Sequence, residues 1–544
     1  MNSYDELITE YSYLFNGGYH VEVDGISSGH YENGQFKSDK VVSRKPILPV
    51  AIMDNMDSGM QKIQIAMWDK NRWKRFVVNR ENLTNKNKII NLANMGVPVG
   101  SDNANDIARY FNTLLAEWDE RLPRNPARSV MGWAVQDDKR FFMPYETGID
   151  FDGEDSYKYL FDSINRKGTL QEWADYILPH RRFSVEIRLV MAAAFASPLI
   201  ELIGENPFVL HLWGGTGTAK TVSLLIAASI FGDPKPGKLV RTMDMTANAM
   251  RGTAAFLNSI PFCGDELQTI KTKWNVSYDQ LIMQLTEGID RGRMKYNQIE
   301  DTKSWKCSFI FTGEEPCVKA VSGGGVANRV IQIEVKQKLV EDGNAMANFL
   351  RSHYGCAGPE YIGALQSGLF DVEGLYRSYF SDLIKMDTTD KQAGAMALML
   401  TADKIAHDVF WPGDDTEEEL DADLVKEYLA SASQVDVSER SYSYICGLVS
   451  ENSCNFNDQS RIVWGKANED GTVYFNRSVL ARIMTDAGYD FEACKKKWER
   501  NGYLLKRTDG RYTQQIRLNG IVTNCVRLLM PMADYDGDTS FQSN

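Results

Sequence analysis

Apolar and polar residues alternate in short runs through the first part of the chain. The runs HVEVDG, KPILPVAIMD, KIQIAMWD and KRFVVN have the period of two that is typical of strands, whereas residues 88–95 and 105–121 have apolar positions at helical spacing. These runs end near the segment GWAVQDDKRFFMP, residues 132–144. The pattern therefore predicts a mixed α/β domain over residues 1–150.

The pattern changes in the middle of the chain. Apolar residues recur at helical spacing up to about residue 203, which predicts a helical lead-in over residues 151–206. The run FVLHLW, a glycine-rich turn and an apolar run over residues 220–231 then predict a strand, a loop and a buried helix. Strands and helices alternate to about residue 335, which favours an α/β core with a parallel sheet over residues 207–340. A helical lid is expected over residues 341–412.

The last quarter of the chain begins with the acidic run GDDTEEELDAD. We interpret residues 413–470 as a solvated acidic linker followed by helices. The order of a winged-helix module follows over residues 471–532. It consists of two helical runs, RSVLARIMTDAG and DFEACKKKWERNG, and a hairpin that turns at Asp509 and Gly510. The composition of residues 533–544 is typical of a disordered tail.

Composition narrows the class of protein. Of the 544 residues, 43% are hydrophobic and 24% are charged, which is usual for a globular protein of several domains. The chain has no apolar run of the roughly 18 residues that span a membrane, and its start lacks a basic signal-peptide region, so we expect a cytoplasmic protein without a membrane partner. The eight cysteines are scattered and contain no CxxC pair, which predicts reduced thiols rather than a structural zinc.

The glycine-rich turn after FVLHLW reads GGTGTAKT, close to the pattern of a phosphate-binding loop. Such a loop binds phosphate through converging backbone N–H groups and a helix N-terminus, while its Lys reaches the β- and γ-phosphates. Alanine stands where glycine is usual, which requires no strain if its φ is negative. Taken alone, the motif is also compatible with an accidental glycine-rich turn. The predicted nucleotide-binding residues are Gly214, Gly215, Thr216, Gly217, Thr218, Ala219, Lys220 and Thr221.

A carboxylate pair follows Lys220 by 45 residues, at the end of IPFCGDEL. Nucleotide hydrolysis requires one carboxylate at the metal and one that orients the attacking water. We therefore expect Asp265, with the Thr221 hydroxyl, to hold Mg²⁺ and Glu266 to act on the water. Pro261 and Gly264 make the preceding strand weak, and ordinary loop carboxylates are the alternative.

Two further positions complete a candidate hydrolytic site. The apolar run KCSFIFTGEE ends on Thr312, and in ATPases of the AAA+ type a polar residue there, called sensor 1, positions the water or the γ-phosphate. Arg329, just before the run VIQIEV, is a candidate arginine finger that reaches the γ-phosphate of a neighbouring subunit. A surface arginine is the alternative for this position.

Basic residues cluster in two places although the formal net charge is −13. In GIDRGRMKY they occupy alternating positions, which places them on one face of a hairpin formed by two short β-runs around IEDTKS. Solvated surface charge is the alternative for these residues. Residues 491–517 contain eight basic and three acidic residues, a local excess that favours nucleic-acid contact over a module that serves packing alone. The predicted DNA-binding residues are Arg291, Arg293, Lys295, Lys495, Lys496, Lys497, Arg507 and Arg511.

The order of these motifs resembles the DUF927 family of phage and mobile-element proteins. The resemblance rests on MGW and FFMP, HLWGGTGTAKT, TANAMRGTAA, GDEL, GIDRGRMKY, SFIFTGEE, NRVIQIEV and the closing winged-helix-like module, and it covers residues 18–531. The family includes self-loading replicative helicases of staphylococcal cassette and pathogenicity-island elements, which are similar to minichromosome maintenance helicases. The resemblance implies a ring-forming AAA+ P-loop ATPase core, usually hexameric, that uses ATP and Mg²⁺, with the hairpin lining a central DNA channel. The chain departs from the family's pattern at Ala219.

Three hypotheses follow from the sequence. The first is an ATP-dependent DNA helicase of a phage or mobile element, acting as a homo-oligomer on single-stranded and forked or duplex DNA. The second is an ATP-dependent DNA-binding switch or initiator that assembles on DNA without processive unwinding. The third, a primase-helicase, is least supported because residues 1–150 contain no zinc motif or paired-carboxylate polymerase site.

Overall fold

The structure, a computed structural model, describes residues 4–531 except 137, 275, 291–293, 296–297, 300–301, 320–321, 415, 417–418 and 458–459. Of residues 15–17, 155, 294–295 and 298–299 it describes the backbone alone. The chain divides into two compact units. The first contains residues 1–164 and 256–258, and the second contains residues 165–255 and 259–544. The first unit thus extends beyond the boundary at residue 150 that the sequence predicted.

The first unit is a mixed α/β structure, as the alternating pattern predicted. Its sheets are an antiparallel sheet of order β1-β2-β3, a mixed sheet of order β10-β7-β4-β5-β6 and the hairpin β8-β9. The amphipathic helix α3 buries Ile107, Phe111 and Leu114 in the core of this unit. Residues 89–95, predicted as a helix, form a 3-10 helix. The elements are α1 (Tyr4–Glu10), β1 (Tyr19–Glu22), β2 (Gly25–Glu32), β3 (Gln35–Ser43), β4 (Ile47–Asn55), β5 (Gln61–Asp69), β6 (Arg72–Asn79), α2 (Arg80–Thr84), α3 (Ala104–Trp118), β7 (Arg124–Arg128), β8 (Gly132–Gln136), β9 (Lys139–Met143), β10 (Asp150–Phe151) and α4 (Asp155–Phe161).

The second unit is organised around a five-stranded sheet that is parallel throughout, as predicted. Its order is β12-β13-β16-β11-β17. Its central strands are apolar and buried on both faces, as strands covered by helices must be. The elements up to the end of this sheet are α5 (Leu170–Phe183), α6 (Val185–Ile203), β11 (Val209–Trp213), α7 (Lys220–Ser229), β12 (Val240–Thr242), α8 (Ala247–Leu257), β13 (Phe262–Asp265), α9 (Gln268–Trp274), α10 (Tyr278–Glu287), β14 (Met294–Lys295), β15 (Gln298–Ile299), β16 (Phe309–Gly313), α11 (Gly324–Ala327) and β17 (Val330–Glu334).

Helices follow the sheet and pack back onto the helical lead-in. They are α12 (Gly343–Leu350), α13 (Ala357–Gln366), α14 (Val372–Leu383), α15 (Asp390–Phe410), α16 (Ala422–Val425), α17 (Ala432–Val435) and α18 (Val437–Glu451). Asp403 on α15 forms buried ion pairs with Arg181 of α5 at 2.9 Å and Arg188 of α6 at 2.6 Å. This triad fixes the long helix α15 against the two helices that precede the sheet.

The C-terminal part has its own hydrophobic core. It contains β18 (Gly465–Ala467), β19 (Thr472–Asn476), α19 (Arg477–Asp486), α20 (Phe491–Arg500), β20 (Leu504–Leu505), β21 (Thr513–Leu518) and β22 (Ile521–Leu529). Tyr442 and Ile445 of α18 belong to the same core, and the indole of Trp498 donates to the backbone oxygen of Ser438 at 2.8 Å. The module therefore starts with α18 and not at residue 471, where the sequence placed its boundary.

The hairpin of this module was predicted at the wrong turn. Asp509 and Gly510 form a turn, but β20 and β21 on its two sides both pair with β22 rather than with each other. The hairpin joins β21 to β22 and turns at Asn519 and Gly520, both with positive φ (47° and 80°). An Asn-Gly pair is the preferred sequence of a two-residue hairpin turn, so the signal was present in LNGI.

No helix among the described residues is long and apolar enough to cross a membrane.

Candidate functional site

The glycine-rich turn joins the carboxyl end of β11 to the start of α7, the position of a phosphate-binding loop in a parallel sheet. The Lys220 ammonium donates to the backbone oxygens of Gly214 at 2.8 Å and Gly215 at 2.6 Å. Gly214 has a φ of 143°, and a Cβ there would lie 2.6 Å from the backbone oxygen of Val335. Burial lowers the pKa of Lys220, although the carboxylates of Glu314 and Asp265 oppose this shift.

Ala219 does not have the negative φ that the sequence analysis expected. Its φ and ψ are 66° and 25°, the left-handed region that glycine adopts without steric cost. The reason is that Ala219 is the N-cap of α7, where the chain reverses from the loop into the helix. Its carbonyl already accepts the first helical hydrogen bond from Ser223 N at 3.1 Å. Alanine therefore takes over the backbone conformation of the usual glycine, at a cost of about 1 to 2 kcal/mol.

Three predicted site residues converge on one carboxylate. The Thr221 hydroxyl, in the first turn of α7, lies 3.1 Å from Oδ2 of Asp265 at the end of β13. The Thr312 hydroxyl, on the neighbouring strand β16, donates to Oδ1 of the same carboxylate. Thr312 is 1% exposed, so its hydroxyl is fixed in the sheet, whereas Thr221 is open to solvent. α7, β13 and β16 thus meet at the carboxyl ends of the parallel strands.

The weak strand before the carboxylate pair has a packing explanation. β13 lies between β12 and β16, and a Cβ at Gly264 would lie 2.5 Å from Sδ of Met243 and 2.8 Å from the ring of Phe311. Glycine is thus required by the close approach of its neighbours. The strand directs Asp265 to Thr221 and Thr312, and Glu266 follows it, exposed and with a φ of 61°. A non-glycine residue in this region is strained, and such strain persists mainly at functional sites.

Arg329 lies at the other end of the parallel strands, next to their amino ends. Its backbone oxygen accepts from Val209 N at 3.0 Å, so it stands at the amino end of β11, whereas the glycine-rich turn follows Trp213 at the carboxyl end. A strand of this length separates the two ends by roughly 15 Å. The guanidinium donates to the Gly325 backbone oxygen at 2.7 Å. Arg329 is therefore not directed at the loop of its own chain.

A short hairpin follows Asp290, in the region where a basic hairpin was predicted. β14 pairs antiparallel with β15, Met294 opposite Ile299 and Lys295 opposite Gln298, so the paired residues lie before or at the first residue of the IEDTKS segment, around which the β-runs were expected. Arg291 and Arg293 lie outside the described residues, as does the side chain of Lys295.

A contact at the hairpin base was not predicted. Asp290 forms an ion pair with Nε of Arg251 on α8 at 2.8 Å, and Arg251, 7% exposed, also donates to Gln284 at 2.9 Å. Arg251 lies within the quoted motif TANAMRGTAA, but no sequence signal pairs it with Asp290.

The predicted basic residues of the C-terminal module differ in their partners. Three of them form ion pairs with nearby carboxylates: Lys495 with Glu492, Lys497 with Asp436 and Arg507 with Asp509. Two others, Lys496 and Arg511, form no ion pair with a described carboxylate.

A further basic residue of this surface, Arg500, is one of the eight in residues 491–517 but not one of the predicted DNA-binding residues. Arg500 is exposed and lies four residues after Lys496, so the two share one face of α20. Arg500 likewise forms no ion pair within the described part of the chain. We call Lys496 and Arg500 the open face of α20.

Comparison with known proteins agrees with this architecture. The family described as a domain of unknown function, DUF927, matches residues 19–304, more than half of the chain. The chain belongs to the DUF927 family. This confirms the resemblance drawn from the motifs. A second family, the Cch helix turn helix domain, matches residues 436–532 of this DUF927 protein, the span that begins with α18.

Among solved structures, the DUF927 chain is similar to one described as "SCCmec type IV Cch - active helicase". The TM-score is 0.69 at 16% identity, and the similarity covers 94% of this chain and 97% of the other. At this identity the likeness concerns the fold. A structure described as the "A form apo structure of NrS-1 C terminal region-CTR(305-718)" is matched at 12% identity over 70% of this chain and 90% of that one, with a TM-score of 0.25, too low to indicate a shared fold. No curated protein matches the chain.

Proposed function

We propose that this DUF927 protein is an ATP-dependent DNA helicase of a mobile genetic element, with an AAA+ ATPase core. The observation that carries the proposal is the convergence of Thr221 and Thr312 on Asp265, beside a loop whose Lys220 is partly buried. A glycine-rich turn without hydrolytic function gives no reason for these three residues to meet. The fold shared with the Cch structure, described as an active helicase, supports the same assignment.

The nucleotide would bind at the carboxyl ends of the parallel strands. Backbone N–H groups of residues 214–221 would hold its phosphates, and Lys220 would leave the loop oxygens to contact the β- and γ-phosphates. One hydroxyl and one carboxylate, from Thr221 and Asp265, fit the oxygen ligands that Mg²⁺ takes beside phosphates. Bound Mg²⁺ would neutralise phosphate charge.

The remaining groups of the site would act on the attacking water. Glu266, exposed directly after Asp265, would orient the water for attack on the γ-phosphorus. Thr312 keeps Asp265 in place through its buried hydroxyl and stands at the position of sensor 1. These roles require Glu266 for hydrolysis but not for binding of ATP.

The position of Arg329 supports a homo-oligomer, with a hexameric ring as the expected form. Because Arg329 lies at the amino ends of the strands, away from the glycine-rich turn of its own chain, its guanidinium would contact the nucleotide of a neighbouring subunit. A charge supplied in this way stabilises the transition state of phosphoryl transfer.

DNA would be contacted at two places. The hairpin after Asp290 is suited to contact a DNA strand in a central channel. The open face of α20 is suited to contact the phosphates of duplex DNA. The matched helix-turn-helix domain supports the second contact.

The proposal is tested by ATP hydrolysis with and without single-stranded DNA, using the full chain, Glu266→Gln and Lys220→Ala. We expect DNA to stimulate the wild type, Glu266→Gln to bind ATP without hydrolysis, and Lys220→Ala to lose ATP binding. Full hydrolysis by either variant would refute the assignment of the site. Normal hydrolysis without strand displacement would instead indicate the DNA-binding switch.

A further inference from the structure

A second cation lies beside Arg329 at the amino ends of the parallel strands. Lys391, in the first turn of α15, lines the same cavity of about 40 Å³ as Arg329. Partial burial and the charge of Arg329 lower the pKa of Lys391. Two cations thus lie near each other, and Lys391 is exposed, so an anion on another molecule has access to both.

No such anion comes from the described part of the chain. Arg329 donates to a backbone oxygen and contacts Sδ of Met283 at 3.2 Å, and neither Arg329 nor Lys391 forms an ion pair with a described carboxylate. Glu205 lines the same cavity, but its carboxylate accepts from the Tyr376 hydroxyl at 2.7 Å and is not paired with either cation. Any anion that joins the two cations therefore comes from outside the described part of the chain.

The helical turn that carries Lys391 is fixed next to Arg329 by hydrogen bonds of the flanking residues. The side chain of Gln392, 1% exposed, donates to the backbone oxygens of Ala327 and Val330, both at 2.7 Å. The Thr389 hydroxyl donates to the side chain of Asn328. The first turn of α15 is thus attached to the chain on both sides of Arg329. An anion that reached the Arg329 guanidinium would therefore have Lys391 beside it.

We propose that Lys391 is a second catalytic cation that acts with Arg329 on the phosphates of the neighbouring subunit's nucleotide. The inference rests on the proposed function, because it needs an oligomer with nucleotide between subunits. Lys391 would add a point charge to the guanidinium where negative charge develops on the transferred phosphoryl group.

The test uses Lys391→Ala in the full chain. We expect kcat for ATP hydrolysis to fall about 100-fold, as on removal of one preorganised donor, with the Kd for a fluorescent ATP analogue unchanged. Lys391→Arg should retain most of the rate, since it keeps a cation. Lys385→Ala is the matched control, because Lys385 is an exposed lysine that already pairs with Asp382. A wild-type rate for Lys391→Ala would overturn the proposal.

Mixed assemblies separate action across the interface from a structural role. Subunits of Lys220→Ala, which lack a working loop but keep both cations, are mixed with Lys391→Ala before ATP is added. Hydrolysis should exceed the sum of the two variants alone, and the same rise is expected for Lys220→Ala with Arg329→Ala. Mixing Lys391→Ala with Arg329→Ala should give no rise, because both would damage the same side of the interface.

The outcomes distinguish the two levels of the proposal. A rise with Arg329→Ala but none with Lys391→Ala would refute the role of Lys391 and leave the proposed function intact. No rise in either mixture would refute action across the interface altogether.

Discussion

Thr221 and Thr312 lie on different elements, and their hydroxyls contact the two oxygens of a single carboxylate, that of Asp265. Thr221 begins the helix after the glycine-rich turn, and Thr312 stands on the strand between the loop strand and the carboxylate strand. The carboxylate is thereby held by a buried hydroxyl on one side and by an exposed hydroxyl on the other. This makes the hydroxyl of Thr312 a positioning group for Asp265.

Replacing Thr312 with Val removes that hydroxyl at nearly constant volume. We expect kcat for ATP hydrolysis to fall by about 10- to 100-fold, because Asp265 loses its buried donor, with little change in ATP affinity. Steady-state hydrolysis and a nucleotide-binding titration measure the two quantities. Thr401→Val is the control, because Thr401 is also buried but donates within its own helix. Equal rates for Thr312→Val and the wild type would contradict the role.

Replacing Ala219 with Gly should stabilise the loop. The left-handed φ of Ala219 costs an alanine about 1 to 2 kcal/mol, which glycine does not incur. We therefore expect a higher unfolding midpoint and an unchanged or faster ATP turnover. Ala227→Gly in the interior of α7 should have the opposite effect, a loss of about 1 kcal/mol. Urea unfolding of both variants provides the comparison, and destabilisation by Ala219→Gly would show that the positive φ is not costly here.

Replacing Asp403 with Asn should strongly destabilise the second unit. Burial raises the pKa of Asp403, but Arg181 and Arg188 outweigh it and hold this pKa below its usual value. The carboxylate therefore contributes stability above its unfolded-state pKa of about 3.9, and that contribution is lost as the pH falls further.

At pH 7 the substitution leaves two buried arginines without their counter-charge, a loss of roughly 3 to 5 kcal/mol. Thermal unfolding at pH 7 measures it, with Asp408→Asn as the control because Asp408 pairs with Lys404 at the surface of the same helix. A midpoint equal to that of the control would contradict the account.

The open face of α20 should contribute more to DNA affinity than its paired neighbours. Lys496→Gln or Arg500→Gln should weaken duplex binding and lower the slope of log K against log salt by about 1 each, as expected for a lost phosphate contact. Lys497→Gln should have a smaller effect, because Lys497 already pairs with Asp436. Fluorescence anisotropy at several salt concentrations compares the three. Equal slopes for all of them would contradict the distinction.

The sequence was most informative where chemistry is encoded in local motifs. The glycine-rich turn, the carboxylate pair and the strand ending at Thr312 each have a local pattern, and their convergence follows from a parallel sheet. The sign of φ at Ala219 was predicted wrongly, because it depends on how the turn enters the helix. The pairing of β21 with β22 was also missed, although Asn519 and Gly520 carry its signal.

Other contacts have no local pattern in a single sequence. Arg251 reaches Asp290, and Gln392 places Lys391 beside Arg329, through side-chain contacts between segments far apart in the chain. Such contacts depend on tertiary packing, and only the structure brings their partners together.

We expect ATP hydrolysis at this site to drive strand separation. Displacement of a labelled strand from a forked DNA duplex tests it most directly, with the wild type, Lys220→Ala and Glu266→Gln compared in the presence of ATP and Mg²⁺. Displacement is expected from the wild type alone, and none without ATP. Displacement by Lys220→Ala, or its absence from a wild type that hydrolyses ATP and binds the fork, would contradict it.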